Sequence, residues 1–436
     1  RQSLSTMSCR TKAIRRCSGI APIGNRFAIT ATTNGNGSWE FSINGGSTWQ
    51  SVGSVSNTSA LLLRSTDMIR FVPDAQNATT GDITFRAWDQ TTGSAGNKVD
   101  ASTNGTTTAF STATEVASIT VTAVNDAPTI TSGHSYTLTG TDENTASPAT
   151  AASTILTAAS WADVDSGAVS GLAITATTGA GTWQFSTDGG STWTNFGSVS
   201  TGSALLITSS TEVRYQPTGL NGETATFSYR AWDQTTGSAS SGATASYGDA
   251  STSGTTTAYS SNQATASITV SSVNDAPVLD NTGTMTLTTI TEDETTNSGN
   301  SVASIITSAG GDRITDVDSG AVEGIAITAL SSGNGTWQYS LDAGSTWTNV
   351  GSVSTSSALL LRSTDLVRFV PNGQNATSAD FTFRAWDQTT GSAGTKVDAS
   401  TNGSTTAFSS ASEVAAISVT AVNDAPTLDN SGDLIL

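Results

Sequence analysis

The sequence predicts an all-β protein built as tandem antiparallel β-sandwich repeats of about 149 residues. Three observations carry this. Val-Asn-Asp-Ala-Pro stands at 124–128, 273–277 and 422–426, so its aspartate recurs at 126, 275 and 424, a step of 149 residues each time. Arg-Ala-Trp-Asp-Gln-Thr-Thr-Gly recurs unchanged at 86–93, 230–237 and 384–391. Between these blocks, runs rich in Val, Ile, Thr, Phe, Tyr and Trp, about five to eight residues long, alternate with Gly, Ser, Asn and Asp clusters. Self-similarity at a fixed period marks an array of like domains, suited to reach, multivalent contact or lattice formation rather than to a lone catalytic pocket.

Taken in order, residues 1–26 form an atypical basic leader, with six Lys or Arg, no Asp or Glu, and both cysteines, Cys9 and Cys17. Repeat 1 spans 27–128 and is N-terminally incomplete; repeat 2 spans 129–277 and repeat 3 spans 278–426. Residues 427–436 match 278–287, the opening strand of a fourth repeat. The ends therefore read as cuts through repeats, and the chain as a window on a longer protein. A first repeat without its opening strand is expected to leave a bare sheet edge, which invites a strand from elsewhere. A tail carrying Leu428, Leu434 and Leu436 is suited to enter that edge in the next molecule, giving an open head-to-tail filament.

Inside a repeat, Thr182-Trp183-Gln184-Phe185-Ser186 alternates apolar and polar residues, as a half-buried strand requires. Asp188-Gly189-Gly190-Ser191 follows as a tight hairpin turn. Ala225, Phe227, Tyr229 and Ala231 point to one face, and Thr226, Ser228 and Arg230 to the other. No helical apolar period of useful length is evident, and about seven or eight short strands per repeat are expected. The stretch 237–257 reads as loop or solvated edge strand.

Composition narrows the function. From residue 27 onward, 11 basic residues face 35 acidic ones. Nucleic-acid binding requires a basic footprint and is excluded on that ground. Acidity spread over a β-array fits solubility or divalent-cation binding. Repeats without cysteine point to a bacterial exported protein, extracellular or on the cell surface, rather than to a disulfide-braced animal one. No apolar run is long enough to span a membrane, and the leader lacks the apolar core of a secretory signal.

Three acidic elements recur in fixed order. A glutamate follows the opening strand: Glu143 in Thr-Asp-Glu-Asn and Glu292 in Thr-Glu-Asp-Glu. Next comes Asp163-Val164-Asp165-Ser166-Gly167, repeated as Asp316-Val317-Asp318-Ser319-Gly320. Last is the Asn-Asp-Ala-Pro linker, with Asn125 and Asp126, Asn274 and Asp275, and Asn423 and Asp424. Calcium takes roughly six to eight oxygens from carboxylates, amides and carbonyls, and these segments are rich in all three. Proline stiffens the linker. Turn-capping is the alternative use of such acids, but it does not account for their recurring order.

The order and spacing resemble cadherin repeats, and more closely the cadherin-like domains of very large bacterial surface adhesins. The resemblance covers repeats 2 and 3 fully and repeat 1 in part. It implies an Ig/cadherin-like sandwich with Ca2+ bound between successive domains, in a calcium-stiffened rod used for adhesion, biofilm or a surface filament. It also implies that a joint draws its glutamate from the domain before and its Asp-x-Asp from the domain after. The joint between repeats 2 and 3 is then complete: Glu143, Asn274, Asp275, Asp316 and Asp318. Asn125, Asp126, Asp163 and Asp165 belong to the preceding joint, and Glu292, Asn423 and Asp424 to the following one. The chain departs from the family in its shortened linker. It also lacks a mid-domain Asp-Arg-Glu, for which Asp89, Asp233 and Asp387 are the stand-ins.

Other motifs argue less. Ser-Thr-Asp-Gly-Gly-Ser-Thr-Trp at 186–193 matches the Asp-box hairpin of sialidase-like propellers, with Asn44 replacing the aspartate in repeat 1, but a propeller shows it about every 40–50 residues. Trp183 and Trp193 and their equivalents read as core aromatics. Trp232 shares the polar parity of Arg230, and packing on Arg230 or exposure beside Asp233 are both open; an exposed ring able to stack on cell-surface or matrix glycans gives the alternative function, an array of carbohydrate-binding modules. His134 is the lone histidine and reads as a surface loop residue. Neither a zinc cluster nor a phosphate loop is present, and no catalytic residues are assigned. The expected partners are neighbouring repeats or copies of the chain itself.

Overall fold

The computed structural model describes residues 7–10 and 26–428. They fall into two compact units, one drawn from 7–10, 26–138, 148–215 and 225–268, the other from 139–147, 216–224 and 269–428. The second unit thus joins the end of repeat 2 to all of repeat 3.

The fold is a tandem series of β-sandwiches, as predicted. In repeat 3 the larger sheet runs Glu413–Thr420, Thr377–Trp386, Gly324–Ser331, Ala358–Arg362, Lys396–Val397, all antiparallel. Two opening pieces, Met285–Thr286 and Ile290–Thr291, add to its Glu413–Thr420 edge in parallel. The smaller sheet runs Asn300–Ser301, Leu366–Pro371, Gly335–Ser340, Thr348–Asn349. Ile325, Ile327, Phe381 and Phe383 of the first sheet meet Trp337, Val367 and Phe369 of the second in one core. The Trp337 and Phe381 rings cross edge to face at 5.2 Å. Repeat 2 has the same strand order. Two-residue strands take the count above the seven or eight expected.

The parallel opening strands are one departure from a purely antiparallel sandwich. Another is a short helix in each complete repeat, α1 at Ala152–Ala158 and α2 at Val302–Thr307. Each buries three residues at i, i+3 and i+4: Ala152, Ile155 and Leu156 in α1, and Val302, Ile305 and Ile306 in α2. Less than two turns long, they show too little period to stand out in the sequence. A β-bulge recurs in all three repeats, at Thr30, Thr175 and Thr328. In each, the threonine hydroxyl bonds a carbonyl of the neighbouring strand.

Repeat 1 does not present the bare edge expected of it. Met7–Arg10 pairs in parallel with Glu115–Thr122, setting Cys9 opposite Val121 and Arg10 opposite Thr122. In repeat 2 the same register belongs to the true opening strand, with Thr141 opposite Val270 and Asp142 opposite Ser271. A leader segment thus fills the opening-strand place, because the ladder requires backbone groups and not a particular sequence. Cys17, Leu434 and Leu436 lie outside the described residues, as does most of the fourth opening strand.

Trp232 also corrects an expectation. It lies on the face opposite the main core yet is only 1% exposed. The chain after it folds back over that face, so Trp232 packs with Ala173, Leu206, Ala250, Ala258 and Tyr259 in a second, smaller core. Its indole N–H donates to the Thr236 carbonyl at 2.8 Å. Trp88 and Trp386 repeat the arrangement. A ring so enclosed has no face left for a sugar. The Trp193 class is likewise not core: Trp49, Trp193 and Trp347 are half-buried, each under the guanidinium of Arg70, Arg214 or Arg368 at 4.0–4.2 Å. His134 is half-buried, with its ring Nε2 enclosed and without a partner.

Candidate metal centre

Glu143 directly follows the opening strand Thr141–Asp142, whose parallel pairing with Val270 and Ser271 carries it to the end of the sheet. It is 1% exposed, and its Oε1 accepts the Val273 N–H at 2.8 Å. The linker then delivers Asp275, whose N–H donates to Asp318 Oδ2 at 2.9 Å. The Asp318 N–H in turn donates to Asp316 Oδ1 at 2.9 Å. Gly320, at φ +82°, closes this loop in a backbone conformation that side chains resist.

These three constraints bring one carboxylate oxygen each of Glu143, Asp275 and Asp318 within 4.8 Å of one another. All three residues lie in the second compact unit. Two unit negative charges at that spacing repel by roughly 1 to 3.5 kcal/mol, as the effective dielectric falls from that of water to about 20. Among the described residues no basic side chain pairs with any of the three, and beyond the N–H and hydroxyl donors to Glu143 and Asp318 a proton or a cation would relieve that repulsion. Burial, together with Asp318 and Glu143, pushes the Asp275 carboxyl above its ordinary range. Burial also raises Asp316, with Asp318, Asp387 and Asp275 adding to the effect.

Asp387 is the residue for which sequence reasoning held only a stand-in. It is 4% exposed and takes the Thr389 N–H and hydroxyl on Oδ1, while Oδ2 accepts from Asn274 Nδ2 at 2.9 Å. Asn274 therefore acts here through its nitrogen, as a brace between the linker and the Trp-Asp-Gln block. Asn274, Asp316, Asp318 and Asp387 line a cleft of about 410 Å³. Asp275 Oδ2 and Asp316 Oδ2 are enclosed with no hydrogen-bond partner. An all-oxygen donor set with orphaned carboxylate oxygens fits a hard divalent cation and suits neither zinc nor copper.

The joint between repeats 1 and 2 repeats the frame. Asp165 Oδ2 accepts the Asp126 N–H at 2.8 Å, Asp163 Oδ1 accepts the Asp165 N–H, and Asn125 Nδ2 donates to Asp233 at 2.9 Å. Asp163 is raised by burial and then by Asp165, Asp233 and Asp126, and its Oδ2 has no partner. Among the described residues this joint holds no glutamate in the place of Glu143. At the end of repeat 3, Glu292 is 1% exposed with Oε1 on the Val422 N–H and Oε2 unpartnered, while Asn423 and Asp424 are exposed.

The Asp-box hairpins are self-contained by contrast. Asp342 accepts from the Thr346 N–H and hydroxyl and the Ser340 hydroxyl, which hold its carboxyl down to about 2. Asp188 is held down to about 2 by the same contacts from Thr192 and Ser186. These acids are braces.

No family model and no curated protein sequence matches the chain. Among solved structures it is similar to mouse cadherin-23 EC22-24, at 11% identity and a TM-score of 0.34, covering 96% of each chain. It is also similar to the adhesive subunit CfaE of the CFA/I fimbria of enterotoxigenic Escherichia coli, at 9% identity and a TM-score of 0.23, covering 67% of this chain and 100% of that one. An endo-fucoidan hydrolase of glycoside hydrolase family 107 is similar at 12% identity and a TM-score of 0.22, over 91% of this chain. The chain spans 39% of that hydrolase's length. At these scores the superpositions carry no argument about function.

Proposed function

We propose that the chain is a non-enzymatic segment of a bacterial extracellular repeat protein, in which Ca2+ stiffens the joints of a rod used in adhesion, biofilm or a surface filament. The observation that carries this reading is the convergence of Glu143 from one repeat, Asp275 from the linker and Asp318 from the next repeat. Three segments far apart in sequence meet with no basic side chain among the described residues to offset their charge, and backbone N–H donors satisfy the carboxylates only in part. Glu143, Asp275 and Asp318 would hold the ion, with Asp316 and Asp387 completing the acidic surround. The bound cation supplies charge neutralisation between repeats. The partners proposed are neighbouring repeats and copies of the chain itself.

The test is calorimetric titration of the whole chain with Ca2+, paired with melting over micromolar to millimolar free Ca2+. Metal bound by the folded form alone adds about 2.7 kcal/mol of stability at 100 times its dissociation constant. The expected melting temperature therefore climbs with the logarithm of free Ca2+. A melt indifferent to Ca2+ across that range, with no heat of binding, overturns the reading.

A further inference from the structure

An asparagine outside all the acidic motifs grips the loop that carries Asp318. Asn221, from the turn before Glu223–Trp232 in repeat 2, accepts the Ser319 N–H on Oδ1 at 2.9 Å. Its Nδ2 donates to the Val317 carbonyl at 2.9 Å. The two bonded groups flank Asp318, so one planar amide fixes the main chain on both sides of that residue. The same contact occurs in the other compact unit, where Asn77 of repeat 1 accepts from the Ser166 N–H at 2.7 Å and donates to the Val164 carbonyl at 3.0 Å, bracketing Asp165. An amide can do this because it carries an acceptor and donors side by side. A carboxylate cannot donate to Val317, and alanine can do neither.

We propose that Asn221 is the positioning residue of the joint, a metal-independent clasp that seats the Asp316-Val317-Asp318 loop of repeat 3 on the end of repeat 2. Asp318 then meets Glu143 and Asp275 before any cation arrives, and removal of metal loosens the joint without releasing it. The energetic logic is preorganisation: acids already held together against their repulsion leave the cation less ordering to impose. The calcium arm of this inference rests on the function proposed above; the clasp itself does not.

The experiment uses the full chain with Asn221→Ala and Asn221→Asp, read by amide hydrogen exchange in chelator and by Ca2+ calorimetry. In chelator, Asn221→Ala is expected to speed exchange of the Ser319 amide by at least tenfold, with amides of the strand Thr377–Trp386 unchanged as the control for folding. Asn221→Asp retains the acceptor and should restore most of the Ser319 protection. Ca2+ affinity should fall about tenfold in Asn221→Ala at unchanged stoichiometry, in line with the cost of losing groups that orient metal ligands. Asn77→Ala, read at Ser166, repeats the test in a joint whose described residues hold no such glutamate. Unchanged protection of Ser319 and Ser166 in chelator overturns the clasp. Lost protection in Asn221→Ala, together with a wild-type chain that binds no Ca2+, would retain the clasp and overturn the calcium reading instead.

Discussion

Repeat 3 contains two short loops built from Asp, Ser and Gly, and they put their acids to opposite use. Around Asp342 the loop closes on itself: hydroxyls of Ser340 and Thr346 and one backbone N–H occupy both carboxylate oxygens, and the carboxyl sits near 2. Around Asp316 and Asp318 the loop leaves an oxygen enclosed without a partner, and burial plus neighbouring acids push Asp316 upward. Composition does not separate the two. What separates them is where donors stand: in the hairpin they come from the next few residues, whereas the joint offers mostly further acids. A carboxylate satisfied locally is part of the scaffold, and one left unsatisfied among its like keeps an oxygen free for the cation proposed above.

The largest expected effect breaks that contrast outright. Replacing both joint acids, Asp316→Asn with Asp318→Asn, should weaken Ca2+ binding by about 100-fold or more, beyond the cost of losing orienting groups alone. Asp342→Asn should leave it unchanged. Repeat 1 already carries that hairpin change: Asn44 takes the Thr48 N–H on Oδ1 and returns a donor to the Thr48 hydroxyl. Calorimetry on the two variants decides the matter. Equal losses in both would show that the hairpin acids also serve the cation.

A pH titration in chelator sharpens the same contrast, because the two loops move stability in opposite directions. Carboxyls whose folded value is raised, Asp316 and Asp275, bind protons more tightly in the folded chain. Their contribution is most favourable at acid pH and is lost as pH rises from the ordinary carboxylate range through the raised values. Asp342 and Asp188, held down to about 2, stabilise above the ordinary range and lose that contribution as pH falls towards 2. Melting in chelator should therefore peak in mildly acid buffer and decline on both sides. Asp316→Asn should flatten the decline towards neutral pH and leave the acid limb intact. A variant with both limbs unchanged would refute the assignment of the upper limb to the joint.

The smallest effect concerns the hairpin backbone. Ala343 is held at φ +56°, where repeats 1 and 2 place Gly45 and Gly189 at φ +70°. The left-handed conformation costs a residue with a side chain about 1–2 kcal/mol, and the freer unfolded glycine returns roughly 0.4–1. Ala343→Gly should gain up to about 1 kcal/mol in denaturant unfolding, with Ca2+ affinity unaltered. A loss of stability would mean that the turn relaxes around alanine without strain.

Much of this was legible in the sequence, for stated reasons. The strand alternation at Thr182–Ser186 and the repeating aspartates identified sandwiches and the joint acids, because period-2 burial and the spacing of acids are local properties of the chain. Trp232 was misread because its parity is genuinely that of the outer face; only the later fold-back over Ala173 and Leu206 buries it. Asn221 carried a repeat signal, recurring as Asn77 and Asn375 nine residues ahead of each Arg-Ala-Trp block, but no sign of its target. Its partners, the backbone groups of residues 317 and 319, are anonymous in sequence and nearly a hundred residues away. Asp387 lay between these cases: its block was conspicuous by repetition, but its coupling to Asp316 through space was not.

The parallel opening strand has a mechanical consequence. In repeat 3 the chain enters along Met285–Thr286 and Ile290–Thr291 and leaves along Glu413–Thr420, running the same way on neighbouring lines. Tension between entry and exit therefore slides the two strands past each other. The cross-strand bonds bear that load together, instead of opening singly from one end as in a hairpin pulled at its mouth. A repeat wired in this way resists extension until a whole ladder yields at once.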